Sequence, residues 1–221
     1  MRKRDRRAIK ALLVIVLLFS MFWYSIPMTA SRARDSVVTV HVWQNGRRAK
    51  MGSGVIVAEG IVLTARHIVD GADKIRITTD EGVEIFSTDF VEADDTDLGL
   101  IIFDSNDILS QSGISVFRPF VGQSVFGIGS RYGLNNSFFQ GFVGTILREV
   151  PFFGSKLMTQ LDIAGNPGDS GCPIYNRWGN VVGILVGGKS YADGVTFIVP
   201  AKICRLFVNQ YKADRAFREA K

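Results

Sequence analysis

Ser170 stands in the sequence Gly168-Asp169-Ser170-Gly171, and a serine in such a glycine-flanked turn could act as a nucleophile. A serine hydroxyl reacts poorly unless a neighbouring base takes its proton and a further group orients that base. Upstream, His67 could supply the base and Asp97, at the start of an apolar run, could supply the orienting carboxylate. These residue types in the order His, Asp, Ser indicate acyl transfer through a covalent intermediate.

Other residues compete for these roles. His41 falls within an alternating run that predicts a strand, where a histidine is more often structural. Asp94 and Asp95 precede the apolar run, where a turn is favoured, so Asp97 is the preferred partner of the base. The glycines between 165 and 171 could belong to an ordinary loop or a phosphate cradle, but no Lys-Ser/Thr pair follows them as in a P-loop.

The formal net charge of +5 comes from one end of the chain. The first ten residues carry six basic side chains and one acidic side chain, and the remainder is balanced at 20 basic and 20 acidic residues. Because basic and acidic residues are equal in number after residue 10, we expect no basic face and no binding to nucleic acid. A length of 221 residues with 47% hydrophobic composition is typical of a folded protein with one large or two small cores.

Residues 11–28 carry no charge and directly follow the basic segment. Such a stretch would span roughly 27 Å as a helix, close to the thickness of a bilayer core. Trp23 and Tyr24 suit a membrane interface, and the basic residues favour a cytoplasmic N-terminus. The sequence therefore predicts cytoplasmic residues 1–10, a retained transmembrane signal-anchor at 11–28, and an extracytoplasmic remainder. A cleaved signal peptide with a poor site at Ser31-Arg32-Ala33 is the alternative, and a buried core helix is disfavoured by the dense flanking charge.

Beyond a polar linker at 29–36, the chain consists of short runs rich in Val, Ile, Phe and Thr, separated by Gly, Asn and Asp. This pattern predicts an all-β fold. A polar stretch at 104–117 divides the runs into two halves, which predicts two six-stranded-type β-barrels at about 37–104 and 118–200. A helix is predicted at 201–212, with Ile203, Leu206, Phe207 and Tyr211 on its apolar face, before a fraying charged tail at 213–221. The predicted strands are 37–43, 54–58, 61–64, 74–79, 83–90, 98–103, 124–128, 138–146, 156–161, 172–175, 181–186 and 195–199.

Three motifs together carry a resemblance to a known family. They are Gly52-Ser53-Gly54-Val55-Ile56-Val57 leading into Leu63-Thr64-Ala65-Arg66-His67, then Thr96-Asp97-Leu98-Gly99-Leu100-Ile101, and the run from Leu161-Asp162-Ile163-Ala164 to Gly171. With these motifs, residues 36–212 resemble the protease domain of the HtrA/Deg family of trypsin-like serine proteases. The resemblance implies a chymotrypsin-like double barrel, endopeptidase activity, a catalytic triad of His67, Asp97 and Ser170, and an oxyanion hole formed by the backbone N–H groups of Gly168 and Ser170.

The resemblance also implies a substrate pocket. Its base would be Ala164, and its wall would consist of Leu185, Val186, Gly187 and Gly188. No acidic residue stands at these positions, so we expect cleavage after Val, Ala or Leu rather than after Lys or Arg.

The sequence departs from the family pattern in two places. Cys172 replaces the second glycine of the usual Gly-Asp-Ser-Gly-Gly-Pro or Gly-Asn-Ser-Gly-Gly-Pro and adds a side chain where packing is tight. The chain ends soon after its last predicted helix, so the PDZ domain that many relatives carry is expected to be missing. A trimer is the oligomer that the resemblance implies.

Two cysteines, Cys172 and Cys204, are expected to be buried free thiols, because a chain of this length does not need a disulfide to fold. A disulfide is the alternative in an extracytoplasmic domain. Two Cys and two His at these separations do not have the spacing of a zinc site, so we expect neither a metal nor a cofactor.

The sequence as a whole predicts a membrane-anchored extracytoplasmic serine endopeptidase that hydrolyses peptide bonds through an acyl-enzyme. Its substrates would be unfolded or misfolded polypeptides, in protein quality control, or a membrane-proximal regulatory protein. The alternative is a noncatalytic module of the same fold that binds peptides through a strand edge or cleft. A solely structural β domain is disfavoured, because it would leave the whole triad as a coincidence.

Overall fold

The computed structural model describes residues 9–10, 12–17, 25–104, 109–153, 156–188 and 194–220. Thirteen β-strands in two sheets form the body of the described structure and a helix follows them, so the predicted all-β class is confirmed. Within the described ranges, no helix has both the length and the apolar character needed to cross a bilayer. The predicted membrane segment at 11–28 lies partly outside these ranges.

Seven antiparallel strands form the sheet of the first half, in the order β5-β4-β1-β2-β3-β7-β6. The single residue Thr88 joins β5 to β6, although these strands lie at opposite edges of the sheet. The two edges must therefore come together, and the Ser87 hydroxyl donates to the Ile102 carbonyl across the gap at 2.5 Å. The strands are β1 (Val37–Gln44), β2 (Arg47–Ala58), β3 (Ile61–Thr64), β4 (Lys74–Thr78), β5 (Glu84–Ser87), β6 (Asp89–Glu92) and β7 (Gly99–Ile102).

The prediction for this half was wrong in strand number and in closure. Residues 83–90 form two strands instead of one, because the chain turns a corner at Thr88. No glycine or proline marks that corner in the sequence, so the pattern of residues 83–90 predicts one continuous strand. The resulting seven-stranded sheet curls on itself, and the covalent chain rather than a hydrogen-bonded ladder connects its edges.

The second half is a closed six-stranded barrel in the order β10-β13-β12-β11-β8-β9. Its longest strand, β9, extends well beyond the predicted 138–146, because its ends are mostly exposed and lack the apolar alternation that predicts a strand. The described turn between β8 and β9 is short and reverses at Tyr132 and Gly133, which both have positive φ. The strands are β8 (Ser124–Arg131), β9 (Leu134–Val150), β10 (Lys156–Asp162), β11 (Pro173–Tyr175), β12 (Val181–Gly188) and β13 (Val195–Pro200).

Helices occupy both ends of this β structure. The segment 29–36 was predicted to be a linker, but α1 (Ser25–Arg34) continues into it and buries Ala30 and Ala33. Alanines among arginines and serines give only a weak apolar period, so the sequence pattern did not predict this helix. A single turn, α2 (Arg66–Val69), follows β3, and a short 3₁₀ helix (Pro151–Phe153) follows β9.

The C-terminal helix α3 (Ala201–Glu219) is longer than predicted, and three of the four residues of its predicted apolar face, Ile203, Phe207 and Tyr211, pack against the core. Its buried residues are Ala201, Cys204, Val208 and Tyr211, whereas Leu206 is 60% exposed. The predicted fraying tail is helical to Glu219, since it consists largely of good helix formers. Arg215 and Glu219 also form an ion pair at 2.7 Å, one turn apart.

Both cysteines are buried free thiols, as predicted. Cys204 lies on the buried face of α3, where its Sγ is 3.4 Å from the Val199 carbonyl oxygen. Burial raises the pKa of Cys204 to about 12, so this thiol stays protonated.

Candidate active site

The base and its carboxylate partner are placed by neighbouring strands of the first sheet. His67 lies on α2, immediately after β3, and Asp97 lies just before β7. The two strands pair with Thr64 opposite Gly99, so the end of β3 meets the beginning of β7. Gly99 allows α2 to lie close, because a Cβ at this position would stand 2.6 Å from a Val69 methyl group. The register of the sheet thus brings His67 next to Asp97.

Asp97 holds His67 by two hydrogen bonds. Its Oδ2 lies 2.7 Å from the His67 Nδ1, and its Oδ1 accepts the His67 backbone N–H at 2.9 Å. This arrangement favours the imidazole tautomer with the proton on Nδ1, which leaves Nε2 available as a base. Among the described residues, the carboxylate hydrogen-bonded to His67 is that of Asp97, whereas Asp94 contacts the Arg66 guanidinium through its backbone carbonyl at 3.5 Å. Beside His67 lies a shallow cavity of about 290 Å³, which Phe153 and Met158 also line.

Ser170 lies on the nucleophile loop, which we define as residues 164–171 between β10 and β11. The first sheet holds this loop, because the Ser53 backbone N–H donates to the Ser170 carbonyl at 2.8 Å. The Ser170 side chain is half-buried. Among the described residues, no hydrogen bond within 3.5 Å joins its hydroxyl to His67, so this hydroxyl is uncommitted. Such bonds are often long in ligand-free enzymes and tighten when substrate binds.

The backbone N–H groups of the nucleophile loop divide into two sets. Those of Asp169 and Gly171 donate to the Asn166 and Leu185 carbonyls, at 3.0 and 2.7 Å. Those of Gly168 and Ser170 donate to no group among the residues that the structure describes. Free N–H groups at these two positions match the oxyanion hole that the sequence predicts.

Gly168 has a backbone conformation that requires glycine. Its φ is +95°, and a Cβ at this position would stand 2.1 Å from the Ser130 carbonyl oxygen. The preceding Pro167 carbonyl accepts the Tyr132 backbone N–H at 2.7 Å. Because the carbonyl and N–H of a trans peptide point in opposite directions, this bond turns the Gly168 N–H away from Tyr132.

Asp169 is fully buried directly beside Ser170. Its carboxylate forms an ion pair with Arg131 at 2.9 Å and accepts the Asn166 backbone N–H at 3.0 Å. Burial raises the pKa of Asp169 to about 6, and the two partners offset only part of this effect. Sequence reasoning did not identify Arg131, because nothing near it in the chain suggests a link to the nucleophile loop.

Cys172 is accommodated without opening the loop. Its side chain is fully buried, and the neighbouring Gly129 leaves room, since a Cβ there would lie 3.1 Å from the Cys172 Cβ. Burial raises the pKa of the Cys172 thiol well above its ordinary value, and the charge of Asp169 acts in the same direction. Cys172 is therefore a neutral packing group beside the nucleophile strand.

The predicted pocket residues divide into buried and accessible members. Leu185 and Val186 are 2% and 3% exposed and pack into two different hydrophobic clusters, so only their backbone could face a substrate. Gly187, Gly188 and Ala164 are more accessible. Residues 189–193, which follow Gly188, lie outside the described ranges.

Phe153 is an additional residue on the substrate side that sequence reasoning missed. A Cβ on Gly187 would lie 2.8 Å from the Phe153 ring, and the ring also lines the cavity beside His67. The glycine at 187 is the sequence signal for such a close approach, but it does not identify the neighbour.

His41 lies apart from this constellation. It stands on β1, where its ring is 6.4 Å from that of Trp43 and its Nδ1 is 3.4 Å from the Arg76 guanidinium. Burial and then the charge of Arg76 lower the pKa of His41. These contacts are in keeping with the structural role predicted for this histidine.

The fold and the site together define a class of protein. A family model for the trypsin-like peptidase domain matches residues 52–184, and the chain belongs to this family. The resemblance to HtrA/Deg proteases is confirmed by the individual proteins and structures to which the chain is similar.

Two relatives among curated proteins illustrate the similarity. The chain is 34% identical over 177 residues to a probable periplasmic serine endoprotease DegP-like from Marinomonas, an alignment that covers 77% of this chain and 37% of that protein. It is 33% identical over 173 residues to the serine endoprotease DegS from Haemophilus influenzae, covering 74% of this chain and 51% of that protein. The chain thus spans between about a third and a half of the length of these relatives.

Solved structures show the same relationship. The serine endoprotease from Yersinia pestis superimposes with a TM-score of 0.74 at 25% identity, covering 84% of this chain and 65% of that chain. The HtrA-type protease AlgW with tripeptide superimposes with a TM-score of 0.72 at 27% identity, covering 79% of this chain and 59% of that chain.

Proposed function

We propose that this protein is a serine endopeptidase that cleaves polypeptides through an acyl-enzyme. The observation that carries the proposal is the combination of a formed His67–Asp97 pair with a nucleophile loop in which the Gly168 and Ser170 N–H groups, on either side of Asp169, donate to no described residue. A base, its orienting carboxylate, a serine hydroxyl and two oxyanion donors are the groups that acyl transfer requires. The names of the matched relatives, all serine endoproteases, support the same reaction.

Each group has a defined task in this reaction. The Ser170 Oγ attacks the carbonyl carbon of the scissile peptide, and His67 Nε2 takes the hydroxyl proton. The carbonyl electron pair moves onto oxygen, which the Gly168 and Ser170 N–H groups stabilise. His67 then gives its proton to the leaving amine, and water releases the acyl group by the same steps in reverse order. Asp97 keeps the imidazole in the required tautomer and stabilises the imidazolium.

For substrate preference, we propose small to medium apolar residues, Val, Ala or Leu, on the acyl side of the cleaved bond. The accessible predicted pocket residues are Ala164, Gly187 and Gly188, none of which carries a charge. A basic side chain would find no carboxylate at these positions. A peptide library profile should therefore show apolar residues before the cleavage site, and a profile dominated by Lys or Arg would contradict this preference.

We further propose that the protease domain is extracytoplasmic and is tethered by residues 11–28. The basic segment before this apolar run supports the orientation, and the matched DegP-like relatives are named as periplasmic. Unfolded polypeptides or a membrane-proximal regulatory protein would then be the substrates. Resistance of the full chain to carbonate extraction from membranes tests the tether, and release into the soluble fraction would contradict it.

A homo-oligomer, with three copies as the family resemblance implies, is the assembly that we propose. Large apolar side chains lie exposed around the segment between the two sheets, where a further copy could cover them. They are Val116, Phe117, Phe120, Val121 and Trp178. Light scattering on the purified chain should give about three times the monomer mass, and a monomer mass at micromolar concentration would contradict the trimer.

Labelling with a fluorophosphonate probe tests the proposed reaction directly. The purified full chain should become labelled, whereas Ser170→Ala should not, because the probe traps an activated serine. Ser137→Ala is a suitable control, because Ser137 is a half-buried serine outside the site whose hydroxyl donates to the Leu134 carbonyl at 2.8 Å. Equal labelling of wild type and Ser170→Ala, or none in either, would favour the noncatalytic peptide-binding module instead. The observation in favour of that module is the missing hydrogen bond between Ser170 and His67 among the described residues.

A further inference from the structure

The turn at residues 130–133, between β8 and β9, binds the nucleophile loop at several points. The turn is closed by the Gly133 N–H, which donates to the Ser130 carbonyl at 3.0 Å. Arg131 reaches two parts of the loop, with its Nε on Asp169 and another guanidinium nitrogen 2.7 Å from the Ala164 carbonyl oxygen. The Tyr132 backbone N–H donates a further hydrogen bond to the Pro167 carbonyl. One short turn thus fixes both ends of the segment that carries the oxyanion donors.

The Arg131 side chain is itself held in place. Its guanidinium carbon lies 3.7 Å from the centre of the Phe139 ring, which faces it from β9. A planar guanidinium can stack on a ring and donate in its plane to two acceptors at once, which a lysine ammonium cannot do. The side chain is only 20% exposed and Asp169 is fully buried, so the ion pair between them is shielded from water.

A buried carboxylate beside the nucleophile needs a compensating charge, because an unpaired ion in a protein interior is costly. Among the described residues, the titratable groups that act on Asp169 are Arg131, from β8, and the neutral Cys172 thiol next to it in the chain. The Asn166 backbone N–H supplies the remaining contact. Arg131 is thus the positive partner of Asp169.

We propose that Arg131 is a positioning residue for the oxyanion hole. By pairing with Asp169 and holding the Ala164 carbonyl, it fixes the nucleophile loop in the conformation that presents the Gly168 and Ser170 N–H groups to the developing oxyanion. Arg131 touches neither substrate nor reacting atoms and acts through the loop. This inference rests on the proposed peptidase function and adds the residue that holds its oxyanion donors in place.

Steady-state hydrolysis of a peptide p-nitroanilide ending in valine, with the purified full chain, tests the inference. Arg131→Met removes the cation but keeps a long side chain against Phe139. We expect kcat to fall about 100-fold, the typical effect of losing one oxyanion donor, and KM to change by less than about threefold. The double variant Arg131→Met with Asp169→Asn should regain about tenfold in kcat, because it leaves no unpaired charge in the interior.

The pH dependence of kcat distinguishes a positioning role of Arg131 from a role in packing alone. Groups common to both proteins affect both rates alike, so the ratio of wild-type to Arg131→Met rates reports on Asp169 and its partner. As the pH falls from 8 to 5, Asp169 becomes neutral in both proteins and no longer needs a counter-ion, so this ratio should shrink about tenfold. A ratio that stays constant with pH, or a wild-type kcat in Arg131→Met, would overturn the proposal.

Controls keep the inference distinct from the proposed function. Arg148→Met removes an exposed arginine on β9 that contacts Gln160, and kcat should stay within about twofold of wild type. If wild type is inactive and unlabelled, the proposed function fails. If wild type is active and the Arg131 variants match it, only the present inference fails. Should Arg131→Met not fold, the double variant carries the test, with kcat expected about tenfold below wild type and an unchanged kcat overturning the proposal.

Discussion

The two halves of the molecule position their reactive groups by different means. In the first half, His67 and Asp97 lie 30 residues apart and are brought together by the pairing of β3 with β7. In the second half, the nucleophile loop depends on contacts from distant segments, since Ser53 is 115 residues from Gly168 and Arg131 is 38 residues from Asp169. The base is thus placed by sheet register, and the oxyanion donors are placed by individual hydrogen bonds.

This difference has a consequence for substitutions. A change at the histidine–aspartate pair should remove chemistry and leave the fold intact, because regular strand pairing does not depend on these side chains. A change in the contacts of the nucleophile loop should alter stability and geometry together, because those contacts satisfy buried polar groups. The following substitutions examine this contrast, from the largest expected effect to the smallest.

Asp97→Asn should have the largest effect. An amide in place of the carboxylate favours the wrong imidazole tautomer and cannot stabilise the imidazolium, so kcat should fall by about 10⁴ with little loss of stability. Steady-state hydrolysis and thermal unfolding measure the two quantities. Asp94→Asn is the matched control, and its kcat should stay within about threefold of wild type. An equal loss in the Asp94 variant would show that Asp97 is not the specific partner of His67.

Gly168→Ala should break the oxyanion hole from within the loop. A Cβ at this position would stand 2.1 Å from the Ser130 carbonyl oxygen at a φ of +95°, so the peptide must move and carry the N–H with it. We expect kcat to fall about 10²- to 10³-fold. Gly122→Ala has a similar φ of +82° but no atom within 4 Å of the added Cβ. It should cost about 1 kcal/mol of unfolding free energy and leave kcat unchanged, and a comparable loss of kcat in both variants would contradict the argument.

The same contrast explains how much the sequence could predict. His67, Asp97 and Ser170 stand in local motifs, and the spacing of apolar residues predicted the all-β class. The His67–Asp97 contact was expected from the family resemblance, since its geometry depends on the pairing of β3 with β7. The Arg131–Asp169 pair did not follow, because an arginine at a strand end has many equally good partners until the barrel is closed. The corner at Thr88 and the exposure of Leu206 on α3 were missed for a related reason. Both depend on which face the finished sheets leave free, and apolar residues occur on more than one face of the helix.

Ser53→Ala tests the bond that links the two halves. The Ser53 hydroxyl donates to the Gly168 carbonyl at 2.8 Å and accepts the Ser130 backbone N–H at 2.9 Å, all in the interior. Removing it leaves two buried backbone groups unpaired, so the free energy of unfolding should fall by about 3 kcal/mol. Urea unfolding measures this loss, and Ser137→Ala, at a half-buried site with one side-chain hydrogen bond, should cost only about 1 kcal/mol. Equal stability of the two variants would show that the link between the halves carries no energy.

The pH dependence of stability tests the buried charge at Asp169. Its pKa is about 6 in the folded chain and has an ordinary value of 3.8, so the folded state binds this proton more tightly than the unfolded state. The contribution of Asp169 to stability therefore increases as the pH falls through 6 and is complete below about 4. Between pH 7.5 and 4.5, wild type should gain about 2 kcal/mol relative to Asp169→Asn, which cannot titrate at this position.

Urea unfolding of wild type and Asp169→Asn at several pH values measures this difference, because the other titrating groups are common to both chains and cancel. A difference in stability that is independent of pH would mean that Arg131 fully compensates the burial of the Asp169 carboxylate. If wild type instead gains unfolding free energy relative to Asp169→Asn as the pH falls, the uncompensated cost of burying a charge lies in the second half of the molecule. The nucleophile loop would then carry an ion whose burial is only partly offset, and Arg131 would be the residue on which its conformation depends.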